Sequence, residues 1–468
     1  MKKRQRERGA ILMLTAFVLP LAIGACGLAL ELSMAFQRQS QLQQVADSVA
    51  LSAAQQLDGT AAGIGNAAIA AAGATFERRV RGVGRVVLNT AVLSFAAGAA
   101  GPWLDFSAAQ GAPAGLRYAR ADMAGQGEAF TVLPVAFGRF LGGRDATTVG
   151  ARAVAGPNGL RVLPLAICAP SSIPVATRYN GPGLDERIDY GFRYGVAYNL
   201  LALNPAAGAG SGEYFLVDPA SPPGSVAVAA STDNGQVAPF MCVGKLAYPS
   251  LAGALHLRRN GSFGLWQQLN SRFGIYGGSD ACDPYTAPPD SNVREYRAAT
   301  ANWISSYPPQ ASAATSAPAA GKPLMTIADG AYPLPAVAPA QYGTLWAYGP
   351  ARRSNSSAFL FSHWNSLYPA SPAFAGTGTS WPSAGPYNNT AFRSAPAGYP
   401  GRKERRLLYV PLLACPVPAG ANVDGTVLAV ARFLLTAQAS ATEVPGEFAG
   451  ILSAKELAAL ATDVELLR

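Results

Sequence analysis

The run from Gly9 to Leu30, GAILMLTAFVLPLAIGACGLAL, contains 22 residues and no charge. A helix rising about 1.5 Å per residue needs about 20 such residues to cross a hydrocarbon core about 30 Å thick, so a transmembrane helix is expected over 9–31. That element leaves a short flank on one side of a bilayer and everything else on the other. Pro20 kinks such a helix without forbidding it. Upstream, Lys2, Lys3, Arg4, Arg6 and Arg8 stand against one acid, Glu7, while the downstream flank opens on Glu31 with few cations nearby. The positive-inside rule therefore makes residues 1–8 a cytoplasmic basic tail and places the rest outside. Two rival readings stay open. A cleaved secretory signal normally has an apolar region of only about 7–15 residues. A lipoprotein signal is suggested by Ile23-Gly24-Ala25-Cys26, with acylation at Cys26, although Gly27-Leu28-Ala29-Leu30 stays apolar where lipoproteins generally turn polar.

Gln37 to Leu57 has no Gly or Pro and sets Leu42, Val45, Val49, Ala53 and Leu57 at three- and four-residue steps. This is the pattern of an amphipathic helix continuing the span, and Gln, Ala and Leu favour helix. The narrow stripe with its small alanine suits close packing against another helix. It serves equally for packing on the chain's own domain or on the helices of partner subunits.

Arg8-Gly9-Ala10, Gly27-Leu28-Ala29-Leu30-Glu31-Leu32 and Leu42-Gln43-Gln44-Val45-Ala46-Asp47-Ser48-Val49-Ala50-Leu51-Ser52-Ala53-Ala54 follow in an order that resembles the amino-terminal segment of TadE/TadG-like proteins of the Tad (tight adherence) Flp-pilus assembly system. The likeness covers about the first sixty residues. Asn270-Ser271-Arg272-Phe273, Ala287 to Val293 and Gly446-Glu447-Phe448-Ala449-Gly450 resemble further segments of bacterial TadG-like proteins. The resemblance implies a single-pass inner-membrane protein whose periplasmic body helps assemble or anchor an adhesive pilus, with other Tad components or pilin helices as partners. Departures from the pattern narrow this. Gly9 is followed by Ala10-Ile11-Leu12-Met13-Leu14, without the acid of prepilin-like relatives, so prepilin-peptidase processing is not expected. No Asp-x-Ser-x-Ser sequence occurs, which makes the likeness TadG-like without a von Willebrand A domain and carries over no metal ligands.

An α+β architecture is expected downstream. Residues 32–80 form an amphipathic helical stalk, broken at Gly59 before a second short helix. Residues 81–157 form a pilin-like small antiparallel sheet, with strand character over 86–95, 115–121, 130–140 and 147–155. Pro157-Asn158-Gly159 is expected to be a turn and a boundary. Residues 158–468 form a larger, mainly-β exported domain with long loops at 308–322 and 368–401. In it, Pro164-Leu165-Ala166-Ile167-Cys168 and Pro411-Leu412-Leu413-Ala414-Cys415 suggest two neighbouring strands of one sheet, another strand is expected over 425–436, and Ser453 caps a helix over 453–468. Charged residues make up 13% of the chain and Gly numbers 50, so this exported part is weakly charged and loop-rich.

Besides Cys26, four cysteines remain: Cys168, Cys242, Cys282 and Cys415. An even number outside the cytoplasm suggests two disulfides, with three connectivities open; proximity favours Cys242 with Cys282, and the shared motif favours Cys168 with Cys415. Five tryptophans follow residue 260, better suited to anchoring a loop-rich sheet than to binding glycans.

Net charge is +9, of which the first eight residues supply +4, and no basic stripe remains to suggest nucleic acid. A nucleophilic hydrolase would need His256 or His363 as base, and neither lies near a Gly-x-Ser-x-Gly elbow. Asp424-Gly425 suggests a turn and Asp185-Glu186 a solvated loop. No enzyme, cofactor, metal or small-molecule substrate is expected. The expected role is a membrane-anchored pilus assembly or minor pilin-like component acting by helix packing and scaffolding. The alternative is an exported adhesin or surface-binding module independent of pili, and a periplasmic carbohydrate-active enzyme is a minor possibility.

Overall fold

A computed structural model describes residues 3–73, 89–126, 131–135, 146–203, 214–220, 233–248, 250–251, 254–296, 344–368, 386–387 and 393–467. The chain forms two compact units, Met1–Asn158 with Asp463–Arg468, and Gly159–Thr462.

The first unit is built on one helix, α1, which runs without interruption from Lys3 to Ala54. Its 52 residues make a rod about 78 Å long, with Pro20 inside it. It ends at Ala54; in the connection that follows, Gly59 takes a left-handed φ of 81°, and a second helix, α2 (Ala61–Gly73), packs back against α1. Strands β1 (Leu93–Ala96), β2 (Leu104–Asp105), β3 (Tyr118–Asp122) and β6 (Arg152–Leu160) join the terminal strand β17 (Ala461–Leu467) in a five-stranded sheet of order β17-β6-β3-β1-β2. A separate pair, β4 (Val132–Pro134) and β5 (Ala146–Thr148), and a short helix α3 (Phe106–Gly111) complete the described elements.

The carboxy-terminal half of α1 supplies the core of this unit. Ala46, Val49, Ala50 and Ala53 are fully buried and cluster with Phe95, Ala119, Ala121 and Ala155 of the sheet and with Ile64 and Ala67 of α2. Alanine on both surfaces lets helix and sheet approach closely, so the fit depends on small side chains rather than on bulk. Gln43 ties the two together, its Nε2 donating to the Arg152 carbonyl at 3.0 Å.

The second unit holds a seven-stranded sheet of order β11-β16-β15-β13-β12-β7-β14. Its strands are β7 (Leu165–Cys168), β11 (Ala197–Asn199), β12 (Tyr214–Val217), β13 (Ala254–Asn260), β14 (Leu407–Leu413), β15 (Asn422–Leu435) and β16 (Pro445–Ile451). Because β15 pairs with both β13 and β14, the pairings β15-β13-β12-β7-β14 close into a ring, which removes two exposed edges. The two Pro-Leu-x-x-Cys segments are parallel neighbours here, with Leu413 opposite Cys168. A smaller sheet, β8 (Ala176–Tyr179), β9 (Asp185–Asp189) and β10 (Phe192–Arg193), lies beside it in the chain.

Several expectations are corrected. Pro157-Asn158-Gly159 is no turn but the middle of β6; only residues 152–155 of that strand pair with β3, so Pro157 leaves no bond to β3 unmade. The helix expected over 453–468 spans only Ala454–Ala459, although Ser453 and Glu456 form the expected capping box. From Ala461 the chain is strand, with Val464 and Leu466 packed against the first core. The strands near 86–95 and 115–121 occupy Leu93–Ala96 and Tyr118–Asp122, while 81–88, the loop at 308–322 and most of 369–392 lie outside the described residues.

Val49→Arg should remove about 3–5 kcal/mol from the first unit, since a guanidinium would enter an all-apolar core without a partner. Met34→Ala, on an exposed part of the same helix, should change it by less than about 0.5 kcal/mol. Thermal unfolding of the detergent-solubilised full chain compares the two.

Candidate functional site

Two regions carry the residues that the sequence singles out: the long helix and a buried polar scaffold in the second unit. Along α1, exposure changes abruptly. Phe17, Leu21, Leu28, Leu32 and Phe36 all have half or more of their surface exposed, whereas Leu42 and Val45 are buried and Val49 and Ala53 completely so. Leu57, past the helix end, is half-buried against the same core. The stripe Leu42, Val45, Val49, Ala53 and Leu57 packs on its own unit, as in the first of the two readings. The apolar surface without protein cover lies upstream. It runs from Met13 to Phe36, five residues beyond the expected end of the span at 31. Leu32, Met34 and Phe36 were the legible signal for this, alternating apolar residues around Glu31 and Arg38. The helix is long and apolar enough to cross a membrane. Cys26 is a free, exposed thiol within it.

In the second unit the pairs are Cys168–Cys415 and Cys242–Cys282, with Cα atoms 5.6 Å and 5.5 Å apart. The former joins the ends of the parallel strands β7 and β14. The latter ties the last turn of α4 (Asn234–Val243) to the segment after α5 (Trp266–Asn270).

Around the second bond, arginines organise irregular backbone. Arg405 donates to the carbonyls of Cys242 (2.8 Å) and Val243 (2.9 Å), and the fully buried Arg272 donates to Met241 (3.2 Å). Both meet the carbonyl end of α4, whose partial negative charge complements theirs. Burial holds the Arg272 pKa well below its ordinary value and Arg405 at about 10. Arg406, also fully buried, donates to the carbonyls of Leu435, Asn292 and Arg294 and lies 4.7 Å above the Phe273 ring. Asp290 accepts from the Arg406 backbone N–H (2.7 Å), the Asn292 N–H (2.8 Å) and the Tyr387 hydroxyl (2.8 Å). Asn270 exchanges two bonds with the Ala439 backbone. Glu447 accepts three backbone N–H bonds, from Ala347 (2.6 Å), Tyr348 (2.8 Å) and Gly349 (3.2 Å). The segments 270–273, 287–293 and 446–450 thus all supply members of the scaffold.

One acidic pair and one Asp-Gly pair depart from expectation. Glu186 is no solvated-loop residue: it is fully buried in β9 and accepts a bidentate pair from Arg193, 2.9 Å on each side. Asp424-Gly425 is no turn but part of β15, where a Cβ on Gly425 would crowd the Leu257 side chain and force it to shift, so glycine suits the close packing there. Asp424 pairs with His256 across β13 and β15. His363 stacks edge-on to Phe359 at 5.7 Å. Among the tryptophans, Trp346 and Trp364 are buried against each other at 5.1 Å, Trp266 is half-buried, and Trp303 and Trp381 lie outside the described residues. Among the described residues no group of three or more His, Cys, Asp or Glu could hold a metal ion.

A long amino-terminal helix, apolar and exposed in one half and built into an α+β unit in the other, fits a single-pass membrane protein with a large β-rich body. Residues 9–56 match the family model of the TadE/G-like Flp pilus-assembly domain. That domain and the apolar helix together support a pilus-associated membrane component. Neither a curated protein nor a solved structure matches the chain significantly.

Burial pushes the Glu447 carboxyl from its ordinary 4.5 up to about 8, against the pull of its three N–H donors. The native unit thus holds a proton that the unfolded chain has lost between these values. This contribution to stability is full below about 4.5 and lost as pH rises through about 8. Unfolding of the full chain across this range should show wild type losing stability with rising pH, and Glu447→Gln losing distinctly less.

Proposed function

We propose that this protein is an assembly or minor pilin-like component of a Tad-type pilus, held in the bacterial inner membrane by α1 with residues 1–8 cytoplasmic and both units periplasmic. The observation that carries this is the coincidence of the TadE/G-like match over 9–56 with a helix whose uncovered apolar part ends near Phe36 and whose buried part begins at Leu42. The basic tail upstream and the two disulfides downstream support the orientation, because cations stay on the cytoplasmic side and disulfides persist outside it. The chain acts by packing and scaffolding rather than by catalysis. In the membrane, the surface offered to pilin or platform helices is the Met13–Phe36 face; the 42–57 stripe serves the fold of the first unit.

An in-frame deletion strain and its complemented control test this by electron microscopy of surface pili together with a surface-attachment assay. Loss of both pili and attachment, restored by the wild-type gene, is the expected result. Paired substitutions such as Phe17→Ala with Leu21→Ala should reduce piliation several-fold while the purified protein unfolds at the wild-type temperature. Normal pili with poor attachment would replace this reading by an adhesin, and normal pili with normal attachment would refute both.

A further inference from the structure

The four bonded cysteines occur in the order 168, 242, 282, 415, and the bonds join the outer two and the inner two. The connectivity is nested. A chain that crosses a membrane from its amino terminus presents Cys168 first, then Cys242, and only later Cys282 and Cys415. The native partner of Cys168 is thus the last to arrive, 247 residues on. We infer that this protein is a substrate of a thiol–disulfide isomerase, acting after a dithiol oxidase, and that correction of a Cys168–Cys242 bond is a step in its maturation. The inference rests on the membrane orientation proposed above.

Three observations exclude selection by the chain alone. Loop-closure statistics favour the 40-residue native loop between Cys242 and Cys282 over the 74-residue non-native loop between Cys168 and Cys242 by only about 2.5-fold. Until Cys282 appears, Cys168 and Cys242 are the only exported pair. Folding cannot shield Cys168 early either, because β7 is buried between β12 and β14, and β14 begins at Leu407. Once the unit has folded, Cys168 and Cys242 are both buried and belong to different core clusters. A Cys168–Cys242 bond is therefore incompatible with the finished sheet and must be broken while the unit is open.

The chemistry balances. Oxidation of each cysteine pair passes two electrons to the reactive disulfide of the oxidase, and the two protons lost by the substrate thiols are those that the resulting oxidase dithiol carries. Correction is redox-neutral. An isomerase thiolate attacks one sulfur of the Cys168–Cys242 bond and forms a mixed disulfide while the other sulfur leaves as a thiolate. With the isomerase on Cys168, the freed Cys242 thiolate attacks Cys282 of a Cys282–Cys415 bond made by the oxidase, which gives Cys242–Cys282 and a Cys415 thiolate; that thiolate attacks the Cys168 sulfur of the mixed disulfide, which gives Cys168–Cys415 and releases the isomerase thiolate.

The test uses the full chain produced in cells with and without their periplasmic thiol–disulfide isomerase, trapped by alkylation and mapped by mass spectrometry of the bridged peptides. Without the isomerase, bonds between Cys168 and Cys242 should accumulate and the native pair Cys168–Cys415 should fall at least several-fold. The Cys168→Ser, Cys415→Ser double variant, which retains only the consecutive pair, should form Cys242–Cys282 to the same extent in both strains. Connectivity is read directly, so reduced stability of this variant does not obscure the result. Native connectivity at unchanged yield without the isomerase would overturn the inference and leave the orientation standing. Four free thiols in wild-type cells would overturn both.

Discussion

One unbroken helix carries an exposed apolar half long enough to cross a membrane and a half buried in a folded core, and the rest of the first unit depends on the change in its surface between Phe36 and Leu42. The exposed apolar side chains between Met13 and Phe36 suit hydrocarbon or a neighbouring helix; the buried ones from Leu42 to Ala53 fit a sheet lined with alanines. No loop separates the two tasks. Within α1 there is no flexible joint that could absorb a tilt in the membrane, because a helix bends sharply only where its ladder is broken, and Pro20 lies upstream of the change. Any reorientation of the membrane segment between Pro20 and Phe36 is therefore passed to the unit built on the other half of the rod.

The second unit meets a different constraint. It has long stretches of irregular backbone, and buried carbonyls outside a ladder need donors. Arginine supplies five in a fixed fork, and here Arg272, Arg405 and Arg406 direct them mainly at carbonyls rather than at carboxylates. Asp290 and Glu447 do the complementary work for orphan N–H groups. Removing any one member leaves several buried groups unpaired at once, so these residues matter for shape well beyond their own contacts.

The membrane helix, its continuation and the capping box at Ser453 were legible because they depend on local periodicity and spacing. The second helix and several strands were also legible as texture. What escaped was decided by distant partners. Whether Leu42 to Ala53 faced inward or toward another subunit depended on a sheet whose strands lie from about 40 to about 400 residues later. Asp185-Glu186 looked solvated because Arg193, which neutralises Glu186, is ordinary in sequence. Asp424-Gly425 has turn chemistry, yet the glycine is there to admit Leu257. The terminal segment carries a cap and an apolar helical spacing, but the strand edge offered by β6 overrides that propensity after Ala459. In the polar scaffold, the segments 270–273, 287–293 and 446–450 were visible as patterns, and their physical roles were not.

The bond between Cys168 and Cys415 also changes what it means for this chain to be cut. Every peptide bond from residue 169 to residue 414 lies inside one covalent loop. Hydrolysis of any one of them leaves the two pieces joined through the ends of β7 and β14. A protease working at a single site in this region could remodel a loop without detaching the body from its anchor; release would need reduction as well as that cut, or a cut outside the loop.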